Sequence, residues 1–144
     1  MPLGVSICHE VIYPELIAAE VAAGAELLVN ISNDGWLDGD WGIASRQHAA
    51  MAAVRAIETR RFLVRAATTG VSAVVDPFGR TVDAADPGTV ATVTAAVAGR
   101  RGLTPYASLG DAFALACAAG AVLALARGRV RTPVAMPHPV AERS

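Results

Sequence analysis

Read from the N-terminus, the chain alternates short apolar runs with stretches whose apolar positions recur every three or four residues. Leu3 to Ile7 is a short run, and Glu15 to Ala23 sets Leu16, Ile17, Ala19 and Val21 in an order that suits a helix, with Gly24 as its stop. Leu27-Leu28-Val29-Asn30-Ile31 then reads as a buried strand. The strand-helix-strand unit so completed, of about thirty residues, predicts parallel pairing. Ser32-Asn33-Asp34-Gly35 carries turn chemistry and opens a Trp- and Asp-bearing loop to Gly42. Ala44 to Arg61 reads as a second helix and Phe62 to Ala67 as a strand. Thr68-Thr69-Gly70 turns the chain, Val71 to Val75 returns as a strand, and Asp76-Pro77-Phe78-Gly79 turns it again before Arg80-Thr81-Val82. Thr89 to Val97 alternates well enough for one further strand.

The texture changes after Arg100-Arg101-Gly102. Ala112 to Ala126 is fifteen residues without a charge. At 1.5 Å per residue such a helix reaches roughly 22 Å, against a hydrocarbon core of ~30 Å, so it is marginal as a membrane span. Arg127, Arg129 and Arg131 follow, a basic flank that favours a cytoplasmic C-terminus. A transmembrane helix within 101–126 and an Ala-rich buried helix are both compatible with this pattern. The basic, Pro-containing segment 127–144 reads as a disordered tail. The membrane placement would put residues 1–100 on the outer face, yet Met1-Pro2 leads straight into a strand without a secretory signal. That topology calls for membrane spans upstream of Met1.

Composition narrows the class. At 144 residues and 53% hydrophobic content the chain can fill one core. Charged residues make up 17% and the net charge is -1, which leaves no basic surface for nucleic acid. Cys8 and Cys117 are far apart, and a structural disulfide between them is not expected. All twelve basic residues are arginine. A mechanism that needs a lysine must therefore obtain it from outside these residues.

Cys8 is the residue with the clearest chemistry. In Gly4-Val5-Ser6-Ile7-Cys8-His9-Glu10 an apolar run ends in a thiol followed by two ionisable groups. A nucleophile at a strand-to-helix turn has this appearance, with helix amides available to hold an oxyanion. It also needs a base, and the candidates are Glu10, His9 and His48. Adjacent residues on an extended segment point to opposite faces, so Cys8 and His9 do not form a dyad merely by being neighbours. His48 lies in the second helical pattern, where a packing or surface role is the default. A metal site from Cys8, His9 and His48 matches no familiar zinc spacing, and neither a metal nor a cofactor is expected.

Four ordered blocks then carry a resemblance: Ile7-Cys8-His9-Glu10; Leu28-Val29-Asn30-Ile31-Ser32-Asn33-Asp34-Gly35-Trp36; Arg55-Ala56-Ile57-Glu58-Thr59-Arg60-Arg61; and Arg65 through Gly79. Together they resemble the nitrilase, or carbon-nitrogen hydrolase, superfamily. The Ser-Asn-Asp-Gly-Trp block, and Leu103-Thr104-Pro105-Tyr106 followed by Gly110-Asp111 and an apolar helix, look most like its apolipoprotein N-acyltransferase branch. The resemblance implies an α/β fold, the C-terminal part of a nitrilase-type α-β-β-α sandwich over 1–100, followed by one transmembrane helix. It also implies a Glu-Lys-Cys triad. Cys8 matches the nucleophile, which takes an acyl chain from a phospholipid as a thioester and passes it to the N-terminal diacylglyceryl-cysteine of an apolipoprotein. Glu10 matches an acidic supporting residue. His9 stands where the family has tyrosine, leaving its backbone N–H as an oxyanion donor. Trp36 belongs to a loop at the substrate entrance. The setting implied is the bacterial inner membrane, with the catalytic domain on the outer, periplasmic face.

In that family the triad Glu and Lys precede the nucleophile. Neither has a counterpart here, so the chain reads as an incomplete C-terminal fragment, inactive alone, with an unpaired sheet edge and apolar face. Two alternatives are a soluble hydrolase of amides or nitriles, and an inert membrane-anchored module that needs a partner carrying the missing half.

Overall fold

A computed structural model describes residues 1–37 and 42–128. Its contacts divide the chain into two units, Met1–Gly110 and Asp111–Ser144. The first is built on a five-stranded sheet of β1 (Leu3–Ile7), β2 (Leu27–Ser32), β3 (Leu63–Ala67), β4 (Ser72–Val75) and β5 (Thr81–Ala85), in that spatial order. The first three strands are parallel, as the strand-helix-strand spacing predicts, and β3, β4 and β5 are antiparallel.

Helix α1 (Pro14–Ala22) links β1 to β2, and α2 (Ile43–Thr59) links β2 to β3. Proline at the start of α1 has its ring angle preset for a helix and loses no bond there. Gly24, at φ 106°, ends that element as the sequence suggests. Ser45, His48, Ala52, Arg55, Ala56 and Thr59 recur every three or four residues along α2 and are all buried. Both helices lie on one face of the sheet. Ile17 and Val21 of α1, Ala52 and Ala56 of α2, and Leu28, Leu63, Ala73 and Val75 of the strands form one apolar core with Val11.

The opposite face is different. Gly4 and Ser6 turn towards the helices, which leaves Val5 46%, Ile7 54% and Ile31 50% exposed on the other side. Strand register places Val5 beside Val29 and Ile7 beside Ile31, so these side chains form a continuous apolar surface. Of the layers in an α-β-β-α sandwich, unit Met1–Gly110 holds one sheet and one helical layer. Alternation over 89–97 leaves Val93, Ala95 and Val97 half-buried, but no described strand pairs with them and no ladder forms. That corrects the expectation of a further strand.

A short helix α3 (Pro105–Leu109) was not anticipated, although its start is plain in Thr104-Pro105. The Thr104 hydroxyl accepts the Ala107 N–H at 3.0 Å, and proline follows the cap. The second unit begins α4 (Ala112–Gly128), a helix of 17 residues. Among the described residues no helix is long and apolar enough to cross a membrane. Within the expected 101–126 segment, α3 ends at Leu109 and the charge-free run lies in α4, described as far as Gly128. The proposed tail lies almost wholly outside the described residues, as does the 38–41 part of the loop after Trp36.

Candidate active site

Cys8 sits where β1 ends, in the left-handed region at φ 51°. A side chain other than glycine is held there only when its surroundings over-determine it. Two features do so. Asn30, buried in the neighbouring strand, donates through Nδ2 to the carbonyls of Ser6 at 3.1 Å and Cys8 at 3.3 Å. Glu10 reaches back so that its Oε2 accepts the Ile7 N–H at 2.7 Å. The chain after Cys8 coils into a five-residue 3-10 turn, Cys8–Ile12, and α1 begins only at Pro14. Cys8 therefore does not cap an α-helix, which corrects the strand-to-helix expectation. Its thiol is half-buried and free.

Behind the thiol lies a buried polar network. Ser32 Oγ is 3.5 Å from Cys8 Sγ and 2.6 Å from Asp34 Oδ1. The hydroxyl has one hydrogen, and the nearer, charged carboxylate takes it; the sulfur then faces the hydroxyl oxygen. Asp34 is fully buried and also meets Arg65, whose NH2 donates to Oδ2 at 2.6 Å, and His48, whose Nδ1 is 3.0 Å from Oδ1. Arg65 further donates to Asn30 Oδ1 and to the Val71 carbonyl. One arginine on β3 thus ties together the two β2-derived groups, Asn30 and Asp34, that fix the Cys8 backbone and the Ser32 hydroxyl. Burial would raise the Asp34 carboxyl, but hydrogen bonds from Ser32, Arg65 and His48 outweigh it and hold the group below its ordinary value. His48 is pushed down by burial and by the Arg65 charge, against the opposing pull of Asp34.

These two shifts fix a pH dependence. Both folded-state values lie below the ordinary ones, so the unfolded chain binds more protons and stability rises with pH. The His48 contribution is fully present above its ordinary value of 6.5 and is lost as pH falls through the folded value. That of Asp34 is present above 3.8 and is lost as pH falls further. The His48 part should appear as a urea midpoint that declines as pH falls below 6.5, while Glu20, raised by burial and by the nearby Glu10 charge, acts in the opposite direction where it titrates. In His48→Gln the first part of the decline should disappear; an unchanged profile in that variant would contradict the assignment.

Gly70 completes the enclosure. A Cβ built there would lie 2.1 Å from Asp34 Oδ2, inside the carboxylate itself. Gly70→Ala should therefore displace Asp34 from Arg65 and cost about 1–3 kcal/mol, the usual range for overpacking. Thermal unfolding of the variant reads this directly, and an unshifted midpoint would mean that the carboxylate moves aside freely.

Of the residues singled out from sequence, Cys8, Glu10, His9, Trp36 and His48 cluster at one end of the sheet, in different roles. Glu10 is exposed and its carboxylate caps the 3-10 turn. The His9 ring lies 5.4 Å from Trp36 and 5.0 Å from His48, centroid to centroid. Trp36 is 67% exposed. His48 is buried in the network, not on the surface. Ser32, Asp34, Asn30 and Arg65 were missed as a unit, and the one available signal was Arg65, a charge inside an otherwise apolar strand that demands a buried partner. Among the described residues no group of three His, Cys, Asp or Glu side chains is arranged to hold a metal ion.

The thiol at a strand end, the mixed sheet and the helical layer coincide with a family match. Residues 1–106 fit the carbon-nitrogen hydrolase family, and the chain belongs to it. Relatives include an apolipoprotein N-acyltransferase from Gloeobacter violaceus, 44% identical over 85% of this chain and 23% of that protein. Another, from Azotobacter vinelandii, is 40% identical over 94% of this chain and 26% of that protein. The chain thus spans about a quarter of the length of the curated relatives it matches. Among solved structures, an amidase from Nesterenkonia sp. AN1 is 27% identical, with a TM-score of 0.48 over 60% of this chain and 35% of that one.

Proposed function

We propose that this chain supplies the nucleophile of an acyl-transfer site in a lipoprotein N-acyltransferase. The observation that carries the reading is Cys8, a half-buried thiol at a strand end, held in a left-handed conformation by its neighbours. Its sulfur attacks an ester carbonyl of a phospholipid, the lysophospholipid alcohol leaves, and an acyl-thioester remains. The α-amino group of an apolipoprotein's diacylglyceryl-cysteine then attacks the thioester and frees the thiol. Substrate class follows from the names of the relatives.

The backbone N–H of His9 follows the nucleophile and is the proposed oxyanion donor. Glu10 is a positioning residue, acting through the turn it caps. Trp36, exposed beside His9, lines the approach of lipid. A cavity of about 190 Å³ next to His9, walled by Ile12, Leu37, Ala44 and Met51, offers apolar surface to the start of an acyl chain. The triad base and lysine come from outside these 144 residues, since the sequence contains no lysine. In this reading residues 1–100 are the C-terminal part of the catalytic domain, working on the outer face of the inner membrane. Segment 101–126 links it to the membrane region, and 127–144 is a tail.

The test is acyl labelling. The chain alone, given phospholipid, should form no hydroxylamine-sensitive adduct, and it should form one when joined to a polypeptide that supplies the Glu and Lys. Labelling of the isolated chain would show that no outside base is needed. Amide hydrolysis by the joined protein without any lipid adduct would sink acyl transfer.

A further inference from the structure

Two adjoining clefts lie at the end of the sheet remote from Cys8. Strands β1, β2 and β3 run in one direction, so Cys8, Ser32 and Ala67 mark one end while Pro2, Glu26 and Arg61 mark the other. One cleft, of about 340 Å³, is lined by Glu26, Arg61, Arg100 and Arg101 among others. Its neighbour, of about 350 Å³, adds Arg60 and Thr104 and shares Arg61, Arg100 and Arg101.

The arginines are built into this place. Arg61 is 3% exposed, and its guanidinium donates to the carbonyls of Ala25 at 2.9 Å, Thr59 at 3.0 Å and Gly102 at 2.7 Å. The segment bearing Arg100 and Arg101 is pinned beside it, because the Arg100 N–H donates to the Glu26 carbonyl at 3.1 Å. Arg60 is held by the Pro77 carbonyl at 3.1 Å and lies over the Phe78 ring. Arg61, Arg100 and Arg101 thus line both clefts and Arg60 the second, and Glu26, paired with Arg101, is the one carboxylate among the lining residues. Burial pushes the Arg61 guanidinium down, Glu26 opposes this, and the nearby Arg100 charge pushes the same way as burial. Like charges held together in a recess are stabilised by an anion, and planar guanidinium forks match phosphate oxygens two at a time.

We propose that the arginine-lined clefts form one anion site that takes a phosphate group, separate from Cys8 and independent of acyl transfer. Such a phosphate can come from a lipid headgroup or from solution, and the same residues would hold either. The site lies on the chain segment that leads through α3 into the apolar helix α4.

Calorimetric titration of the full chain in a neutral detergent tests this with two probes: inorganic phosphate, and a short-chain phosphatidylglycerol kept below its micelle concentration. Saturable one-to-one binding is expected. It should weaken about tenfold or more in Arg100→Gln/Arg101→Gln, the loss that goes with removing charge-assisted bonds. Arg46→Gln, an exposed arginine paired with Asp86 elsewhere, should bind as the parent does. Binding of phosphatidylglycerol alone would identify a headgroup site, and binding of inorganic phosphate would show that the anion suffices. Absence of saturable binding by both probes, or an equal loss in Arg46→Gln, would overturn the proposal.

Discussion

Arg65→Met is expected to cost about 3–5 kcal/mol of folding stability, the penalty for stranding a buried charge. Asp34 is fully buried, and its Oδ2 lies 2.6 Å from the guanidinium that neutralises it. Without that cation the carboxylate keeps hydrogen bonds from Ser32 and His48 but loses its only charged partner named in the network. The same substitution frees the Asn30 carboxamide oxygen, and with it the anchor of the Cys8 backbone. Marginal domains hold about 5–15 kcal/mol in all, so the variant should unfold at much lower urea. Asp34→Asn should also be destabilising, because a buried guanidinium then lacks its counter-charge. The double variant should cost less than the sum of the two, since neither charge remains to be stranded. Strictly additive losses, or single losses below about 1 kcal/mol, would mean that the pair is not the keystone described.

Cys8→Ser is the substitution with the largest expected effect on activity. In a protein completed by the polypeptide that carries the Glu and Lys, acyl transfer should fall by about three orders of magnitude or more, as happens when a covalent nucleophile is removed. Stability should change little, because the half-buried sulfur has a single hydroxyl neighbour, Ser32, at 3.5 Å. Cys117→Ser provides the control. That thiol is exposed on α4 and should be dispensable for transfer. Equal rates in Cys8→Ser and the parent, measured on folded protein, would remove the chemical basis of the reading.

Much of the fold was legible because its signals are local. Short apolar runs and a three-to-four-residue periodicity separated β1, α1 and β2, and Gly24 and Asp76-Pro77-Phe78-Gly79 act as the stop and turn that their chemistry suggests. Segment 89–97 shows the limit of such patterns: alternation prepares one side of a strand, but pairing depends on a partner. The charge-free run 112–126 was legible in the same local way, as the apolar stretch of α4.

The site was half legible. Cys8 announced itself by chemistry, but its left-handed backbone did not, since cysteine carries no preference for that conformation. Ser32 and Asp34 looked like turn formers, and nothing local distinguishes a turn aspartate from one that is fully buried. Their partner Arg65 is 31 positions from Asp34, and only parallel pairing of β2 with β3 brings them together. Glu10 was singled out for chemistry, and the structure commits one of its oxygens to holding the turn.

The central claim is that Cys8 carries the acyl group. Its most direct test is mass mapping of the completed protein after incubation with phospholipid in the absence of acceptor. The account predicts one hydroxylamine-sensitive acyl adduct on the peptide containing Cys8, absent from Cys8→Ser. An adduct on Cys117 or another residue, or one that persists in Cys8→Ser, would contradict it.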